Sequence, residues 1–246
     1  MTGIAIFGAA SAIAQDVARL YAAEGATCFL VGRNGARLDT IASDLKARGA
    51  AAATTAVADL TDTTQHAALV AQAKAALGTV DRVLVAYGTL GDQRAGEADT
   101  TVMVRELTVN FVSAASLLNL LAEAMIPQKA GKIAVIGSVA GDRGRQSNYI
   151  YGSAKAGLGA FALGLRHRLA KDGISVTLVK PGFVDTPMTA DIPKGGPLWA
   201  TPAQVAGDIR AAMERGAAVL YTPWFWRWIM LIIRSVPDVV FRRTRL

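Results

Sequence analysis

The chain predicts a doubly wound parallel α/β sheet with helices on both faces. Three observations lead there. Short, near-continuous apolar runs alternate with Ala-rich stretches of helical length, the pattern of strands covered on both sides. Of the 246 residues, 52% are apolar and 18% charged, enough for a large core and too few charges for a disordered chain. No linker, repeat or composition break divides the first 221 residues, so a single body (1–222) is expected to carry a C-terminal amphipathic appendage (223–246).

The elements follow in order. Gly3–Gly8 reads as a strand and Ala12–Glu24 as a helix. Thr27–Val31 and Ala36–Arg48 repeat the pair, as do Ala53–Ala58 and Thr63–Leu77. Val80–Ala86 is a strand, and a long helix runs from about Thr101 to Met125, ended by Pro127. Lys132–Ile136, Ile150–Lys171 and Ser175–Val179 continue the alternation. After a Gly/Pro-rich stretch come Pro202–Arg215 as a helix and Ala217–Tyr221 as a strand. Gln93–Asp99 and Pro187–Ala200 read as loops. Right-handed crossovers between parallel strands make this arrangement doubly wound.

Composition excludes several classes. With 24 Gly and 8 Pro the chain is neither collagen-like nor Pro-rich. No uncharged apolar run reaches bilayer length, and Met1-Thr2-Gly3 leads into the first strand without a basic n-region. The single Cys28 leaves no internal disulfide, so a cytoplasmic location is expected, with Cys28 a core residue of the second strand. Net charge is +7, of which +4 lies in Trp224–Leu246. A basic nucleic-acid groove would spread its charge along a face with stacking aromatics, so no nucleic-acid partner is expected. His66 and His167 read as surface helix residues, and no metal site is expected.

The first turn, Gly8-Ala9-Ala10-Ser11-Ala12-Ile13-Ala14, joins a strand to a helix whose free N–H groups suit a pyrophosphate. The second strand ends Val31-Gly32-Arg33-Asn34, with no acid to hold a ribose 2′-hydroxyl. Arg33 is either a solvated arginine or the partner of a 2′-phosphate, and the fold context favours the latter, hence NADP(H) over NAD(H). Asp59 and Leu60 end the third strand, where an adenine edge would lie, although Asp59 equally suits a helix cap. Tyr151 and Lys155 are one turn apart on a helix face, so the ammonium is expected to lower the phenol pKa and make Tyr151 an acid/base for an alcohol/carbonyl pair. Ser138 sits at a strand's carboxyl end, where open α/β sheets bind ligands. Asn110 is a poor helix former inside the long helix and suggests a structural or water-relaying role.

Taken with Pro181-Gly182-x-x-x-Thr186, these residues resemble the short-chain dehydrogenase/reductase family over residues 1–221, a Rossmann-type fold. The resemblance implies Tyr151 as acid/base, Lys155 holding the nicotinamide ribose, Ser138 orienting the carbonyl and Asn110 completing a proton relay. It places Gly8, Ser11, Ile13, Ala86, Gly88, Pro181, Gly182, Val184 and Thr186 along the cofactor. Two departures stand out. The family's second and third turn glycines are Ala12 and Ala14 here, and its Asn-Asn-Ala-Gly is Val85-Ala86-Tyr87-Gly88, without the Asn that braces the sheet. The variant turn, the Ala140–Tyr149 loop and the tail are similar to a subgroup that reduces a decaprenylphosphoryl 2-keto-pentofuranose. A keto-sugar substrate, polyprenyl-phosphate-linked, is thus expected. Arg143 and Arg145 then suit a phosphate or, alternatively, a loop or subunit interface. A non-catalytic dinucleotide-binding subunit, or a reductase of acyl-chain or small ketones, remains the alternative.

The tail segment Trp224–Ile233 is strongly apolar, broken by Arg227, followed by Arg234, stopped at Pro237 and trailed by Arg242-Arg243-Thr244-Arg245. Too short to span a bilayer, it suits an interfacial helix on an anionic membrane, which would make the protein peripheral on the inner membrane face. A subunit interface is the competing reading, because family members are usually homo-dimers or homo-tetramers.

Overall fold

The computed structural model describes residues 2–190 and 192–244. Seven parallel strands form one sheet in the order β3-β2-β1-β4-β5-β6-β9. They are β1 Gly3–Phe7, β2 Thr27–Gly32, β3 Ala52–Val57, β4 Arg82–Val85, β5 Gly131–Ile136, β6 Ile174–Pro181 and β9 Val219–Thr222, with β7 Phe183–Val184 and β8 Trp199–Ala200 pairing separately. The helices of the body are α1 Ala12–Ala22, α2 Gly35–Ala47, α3 His66–Leu77, α4 Gln93–Ala98, α5 Thr100–Leu107, α6 Ser113–Met125, α7 Tyr149–Leu169 and α8 Pro202–Glu214.

Every residue of β1 is buried, and its side chains alternate between two cores. Ile4 and Ile6 face α1, α2 and α8, whereas Ala5 and Phe7 face α3, α6 and α7. Each large apolar side chain so buried contributes roughly 1.5–3 kcal/mol. Strand order reverses between β1 and β4, which opens a crevice at their carboxyl ends.

Three expectations are corrected here. Gln93–Ala98 is helical rather than a loop, because Asp92 Oδ1 accepts from the N–H groups of Arg94 and Ala95 at 2.9 and 3.0 Å. Trp199–Ala200 adds a short strand in the second expected loop. The long helix is interrupted by a π-helical turn at Thr108–Val112, the kind of irregularity that concentrates at functional sites. The full run Thr100–Gln128 is long and apolar enough to cross a membrane, yet Leu117, Leu118, Leu121 and Met125 are fully buried against the body.

The tail forms α9 Trp226–Ser235 and α10 Asp238–Phe241. Trp226 and Met230 are buried with Val139 in a small core of their own.

Candidate active site

The turn after β1 is pinned by backbone. The N–H groups of Gly8 and Ala9 both donate to Val31 O at 2.9 Å, tying the turn to the end of β2. Gly8 has φ +90°, and a Cβ there would lie 2.8 Å from both Cβ and N of Tyr87, so no other residue fits. Ser11 precedes α1 in an extended conformation without using its hydroxyl as a cap, and the first turn holds no acid. The N–H groups of Ala12, Ile13 and Ala14 have no intrahelical acceptors and point out of the helix end. The Ala14 methyl is fully buried among α1-side core residues and Ile13 packs beside it, so alanine is accommodated where the family has glycine.

Arg33 stands exposed at the end of β2. Arg37, one turn into the next helix, donates from Nη2 to Ala10 O at 3.1 Å and so leans over the same turn. Sequence reasoning missed Arg37; its spacing of four from Arg33 is the signal that was there. The free first-turn N–H groups and the Cβ-free cradle at Gly8 fit the pyrophosphate of a dinucleotide.

Asp59 does not cap the following helix. Its Oδ1 accepts from Thr61 N and Oγ1 at 3.0 and 2.8 Å, while Asp62 caps the turn before α3. Those bonds to Thr61, with a smaller contribution from the Arg33 charge, hold the Asp59 carboxyl below the usual carboxylate range. Leu60 is buried in the core, and its carbonyl accepts from Ser113 Oγ and from His66 Nε2. His66 is therefore a fully buried residue and not a surface one, with Ser116 Oγ 3.1 Å from its other nitrogen. His167 is exposed, and Cys28 is buried in β2, its thiol pushed up to about 11 by burial.

The missing Asn brace is replaced. Tyr87 OH donates to Ser113 Oγ at 2.8 Å, and Ser113 in turn donates to Leu60 O. This chain joins the end of β4, α6 and the end of β3 through one buried network. Ala86 N donates to Phe7 O at 2.8 Å, keeping the strand ends in register.

The catalytic candidates converge on the other side of the crevice. Ser138 follows β5, and its Oγ accepts from Ala140 N at 3.1 Å at the start of a short turn, Val139–Asp142. That turn lies flat on α7: a Cβ on Gly141 would be 2.8 Å from Ala156 N. Close approach brings Ser138 to Tyr151 in the first turn of α7. Lys155, buried one turn on, donates from Nζ to Ile136 O at 3.1 Å and sits 5.7 Å from the Tyr151 ring centroid. Gly88 marks the meeting point, because a Cβ there would be 2.6 Å from Asn110 Oδ1 and 3.3 Å from Lys155 Nζ. Asn110 is buried at the middle of the π-helical turn; its Oδ1 accepts from Thr89 N at 3.1 Å and its Nδ2 donates to Glu106 O at 3.2 Å.

One electrostatic expectation is reversed. Burial, and not the Lys155 charge, dominates the tyrosine here. Burial pushes the Tyr151 phenol up to about 12, and a hydrogen bond with Ser138 pulls it back part of the way. Burial also lowers Lys155 to about 8. Tyr151 thus holds its proton at neutral pH, and Lys155 exchanges its own close to that range. Leu90, Gly91, Asp92, Gln93, Glu106 and Tyr151 line a cleft of about 240 Å³.

Pro181 ends β6, and Gly182 N donates to Thr222 O at 3.0 Å. A Cβ on Gly182 would overlap the Trp226 indole, which covers it. Val184 is buried in β7, and Thr186 N donates to Thr189 Oγ1 at 3.2 Å, starting the next turn.

Arg143 does not await a phosphate. Its Nη1 donates to the carbonyls of Ile233 and Val236, both at 2.6 Å, and its guanidinium lies 3.7 Å from the Phe241 ring centroid, so it caps the carboxyl end of α9. Gln146 Nε2 donates to Thr244 O at 3.1 Å, and Tyr221 OH to Asp142 Oδ2 at 2.7 Å. Arg145 is half-buried against Met230, 3.9 Å from its sulfur, and burial lowers its pKa. The loop between Ser138 and Tyr151 hangs from the tail.

Comparison with known proteins places this geometry. The short chain dehydrogenase profile matches residues 2–196, and the chain belongs to the short-chain dehydrogenase/reductase family of oxidoreductases, which use NAD(P)(H). An uncharacterized oxidoreductase of Mycobacterium tuberculosis (strain ATCC 25618 / H37Rv) is 40% identical over 240 residues, covering 98% of this chain and 96% of that one. An uncharacterized oxidoreductase from the mprA 5′ region of Streptomyces coelicolor is 37% identical, covering 97% and 94%. Among solved structures, a variant of actinorhodin polyketide ketoreductase with NADPH superposes with a TM-score of 0.80 at 25% identity, covering 90% of this chain and 95% of that one. Levodione reductase superposes equally well, TM-score 0.80, at 21% identity, covering 89% and 95%, and shares the fold.

Proposed function

We propose that the chain is an NADP(H)-dependent carbonyl reductase acting on a keto sugar, carried on a polyprenyl phosphate. The observation that carries the reductase reading is the placement of Tyr151 on the wall of the cleft, in the first turn of α7 after Ser138 and one turn from the buried Lys155. When bound, the reduced nicotinamide supplies a hydride to the carbonyl carbon. Gly8, Ser11, Ile13 and the end of α1 would hold its pyrophosphate, Arg33 and Arg37 the 2′-phosphate, and Asp59, Leu60 and Ala86 flank the adenosine side. Gly88, Pro181, Gly182, Val184 and Thr186 flank the nicotinamide side. The Ser138 hydroxyl donates to the carbonyl oxygen and orients it. Tyr151 gives that oxygen its proton as the carbon is reduced, so the product is the alcohol and the residue left is a phenolate. The Lys155 ammonium passes a proton back to the phenolate and is resupplied from solvent by way of Asn110. Tyr151, Ser138, Lys155 and Asn110 thus form the catalytic group.

The lipid-linked part of the reading is supported by the tail. Its inner face packs on the body, but Trp224, Trp228, Ile232 and Val240 are 71, 55, 67 and 55% exposed, with Arg227, Arg234, Arg242 and Arg243 exposed around them. An apolar face rimmed by cations suits an anionic lipid surface, where a lipid-linked substrate resides. This makes the protein peripheral on the inner face of the membrane. Co-sedimentation with anionic vesicles, weakening at high salt, tests it. Indifference to vesicles together with a homo-dimer or homo-tetramer that dissociates on truncation after Thr222 would assign the same face to a second copy.

A further inference from the structure

Glu106, four residues before Asn110, bears a carboxylate that the reduction described above does not use. It is half-buried between α5 and the loop after β4. Its Oε2 accepts from Thr89 Oγ1 at 2.5 Å and from Asn110 Nδ2 at 3.3 Å. Gly91, at φ +68°, passes directly over it, and a Cβ there would lie 2.7 Å from Glu106 Cδ. The carboxylate is therefore held in one place by two donors and a close-packed backbone. Its second oxygen, Oε1, has no hydrogen-bond partner among the described residues. Glu106 and Tyr151 line the same cleft.

A fixed carboxylate oxygen accepts and never donates. Whatever occupies the cleft beside it gains by bringing a donor, and a phosphate or carboxylate placed there meets a like charge in a site partly shielded from water. Asp92, on the same cleft, adds to that repulsion while its Oδ1 is taken by two backbone N–H groups. We propose that Glu106 is a specificity-determining residue: its Oε1 accepts a hydrogen bond from a substrate hydroxyl near the reacting carbonyl and keeps anionic groups away from this end of the cleft. The proposal rests on the reductase reading and narrows its substrate class to hydroxyketones whose charged group, where present, lies at the far end.

The test uses the full chain with NADPH and two ketones of similar size, hydroxyacetone and 2-butanone. The unmodified protein is expected to favour hydroxyacetone in kcat/KM by about tenfold or more, the scale of one charge-assisted hydrogen bond. Glu106→Ala should bring that ratio near one, mostly through KM. Glu106→Gln keeps the acceptor towards Thr89 and Asn110 but turns an amide N–H into the cleft, so it should also lower the ratio and should raise kcat/KM for the keto acid pyruvate. An unchanged ratio in both variants overturns the proposal. If neither ketone is reduced, the reductase reading is decided separately with a 2-keto pentose. Calorimetric binding of 1,2-propanediol against 2-butanol to the NADP⁺-loaded protein then decides Glu106, and equal affinities in the unmodified protein overturn it.

Discussion

The two loops that face each other across the crevice are held in opposite ways. The Gly8–Ala14 turn is fixed locally: two N–H groups share one carbonyl of the neighbouring strand, and Gly8 abuts Tyr87. The loop from Ser138 to Tyr151 is fixed from a distance, by Arg143 and Gln146 reaching carbonyls some ninety residues later in the tail. A turn held by backbone tolerates methyl groups in place of hydrogens, as Ala12 and Ala14 show. A loop held by a remote segment depends on that segment staying attached.

The strongest break of this comparison is Tyr151→Phe. It removes the proton donor and leaves the turn after β1 untouched, so kcat should fall by roughly 10²–10⁴. NADPH affinity, followed by fluorescence, should stay within about twofold of the unmodified protein.

Truncation after Thr222 comes next. It uncovers Val139 and Gly182 and frees Arg143, and small displacements of reacting groups cost up to about 100-fold. Turnover should fall by tens-fold while NADPH binding persists, and vesicle co-sedimentation should disappear. Arg143→Ala alone should reproduce the loss of turnover in part, without loss of vesicle binding.

Arg33→Ala acts on the other loop. A charge-assisted contact is worth about 1.5–3 kcal/mol, so NADPH should lose about 10–100-fold in affinity while NADH changes little. Any preference that survives is expected to vanish on adding Arg37→Ala.

These contrasts match what the sequence made legible. The strand–helix alternation, Tyr151 with Lys155 and the position of Ser138 follow from local spacing, and the structure brings them together. What was not legible depended on contacts distant in the chain. Arg143 stayed open between a phosphate ligand and a loop or interface arginine because nothing local shows that α9 ends beside it. His66 read as a surface residue because its partners, Leu60 O and Ser116, meet it only in the fold. Tyr87 looked like a lost brace until Ser113 was placed opposite it. The pKa expectation erred for a related reason: spacing of four placed the lysine near the tyrosine, but burial of both outweighs their mutual effect.

The smallest expected effect sharpens that last point. Lys155 has a folded pKa of about 8 against an ordinary 10.5. Between those values the unfolded chain binds more protons, so this residue's contribution makes stability rise with pH over that window. Thermal melting at pH 8 and pH 10 should show Lys155→Met lacking that component of the slope.

The central claim is that the Tyr151 side of the crevice performs carbonyl reduction with the dinucleotide held on the Gly8 side. Single-turnover oxidation of bound NADPH on mixing with a 2-keto pentose or hydroxyacetone tests it most directly. The account predicts one equivalent of NADPH consumed per site, with the alcohol formed and no consumption by Tyr151→Phe. Tight NADPH binding with no oxidation by these or by acyl-chain ketones would contradict it and leave a dinucleotide-binding subunit without catalysis.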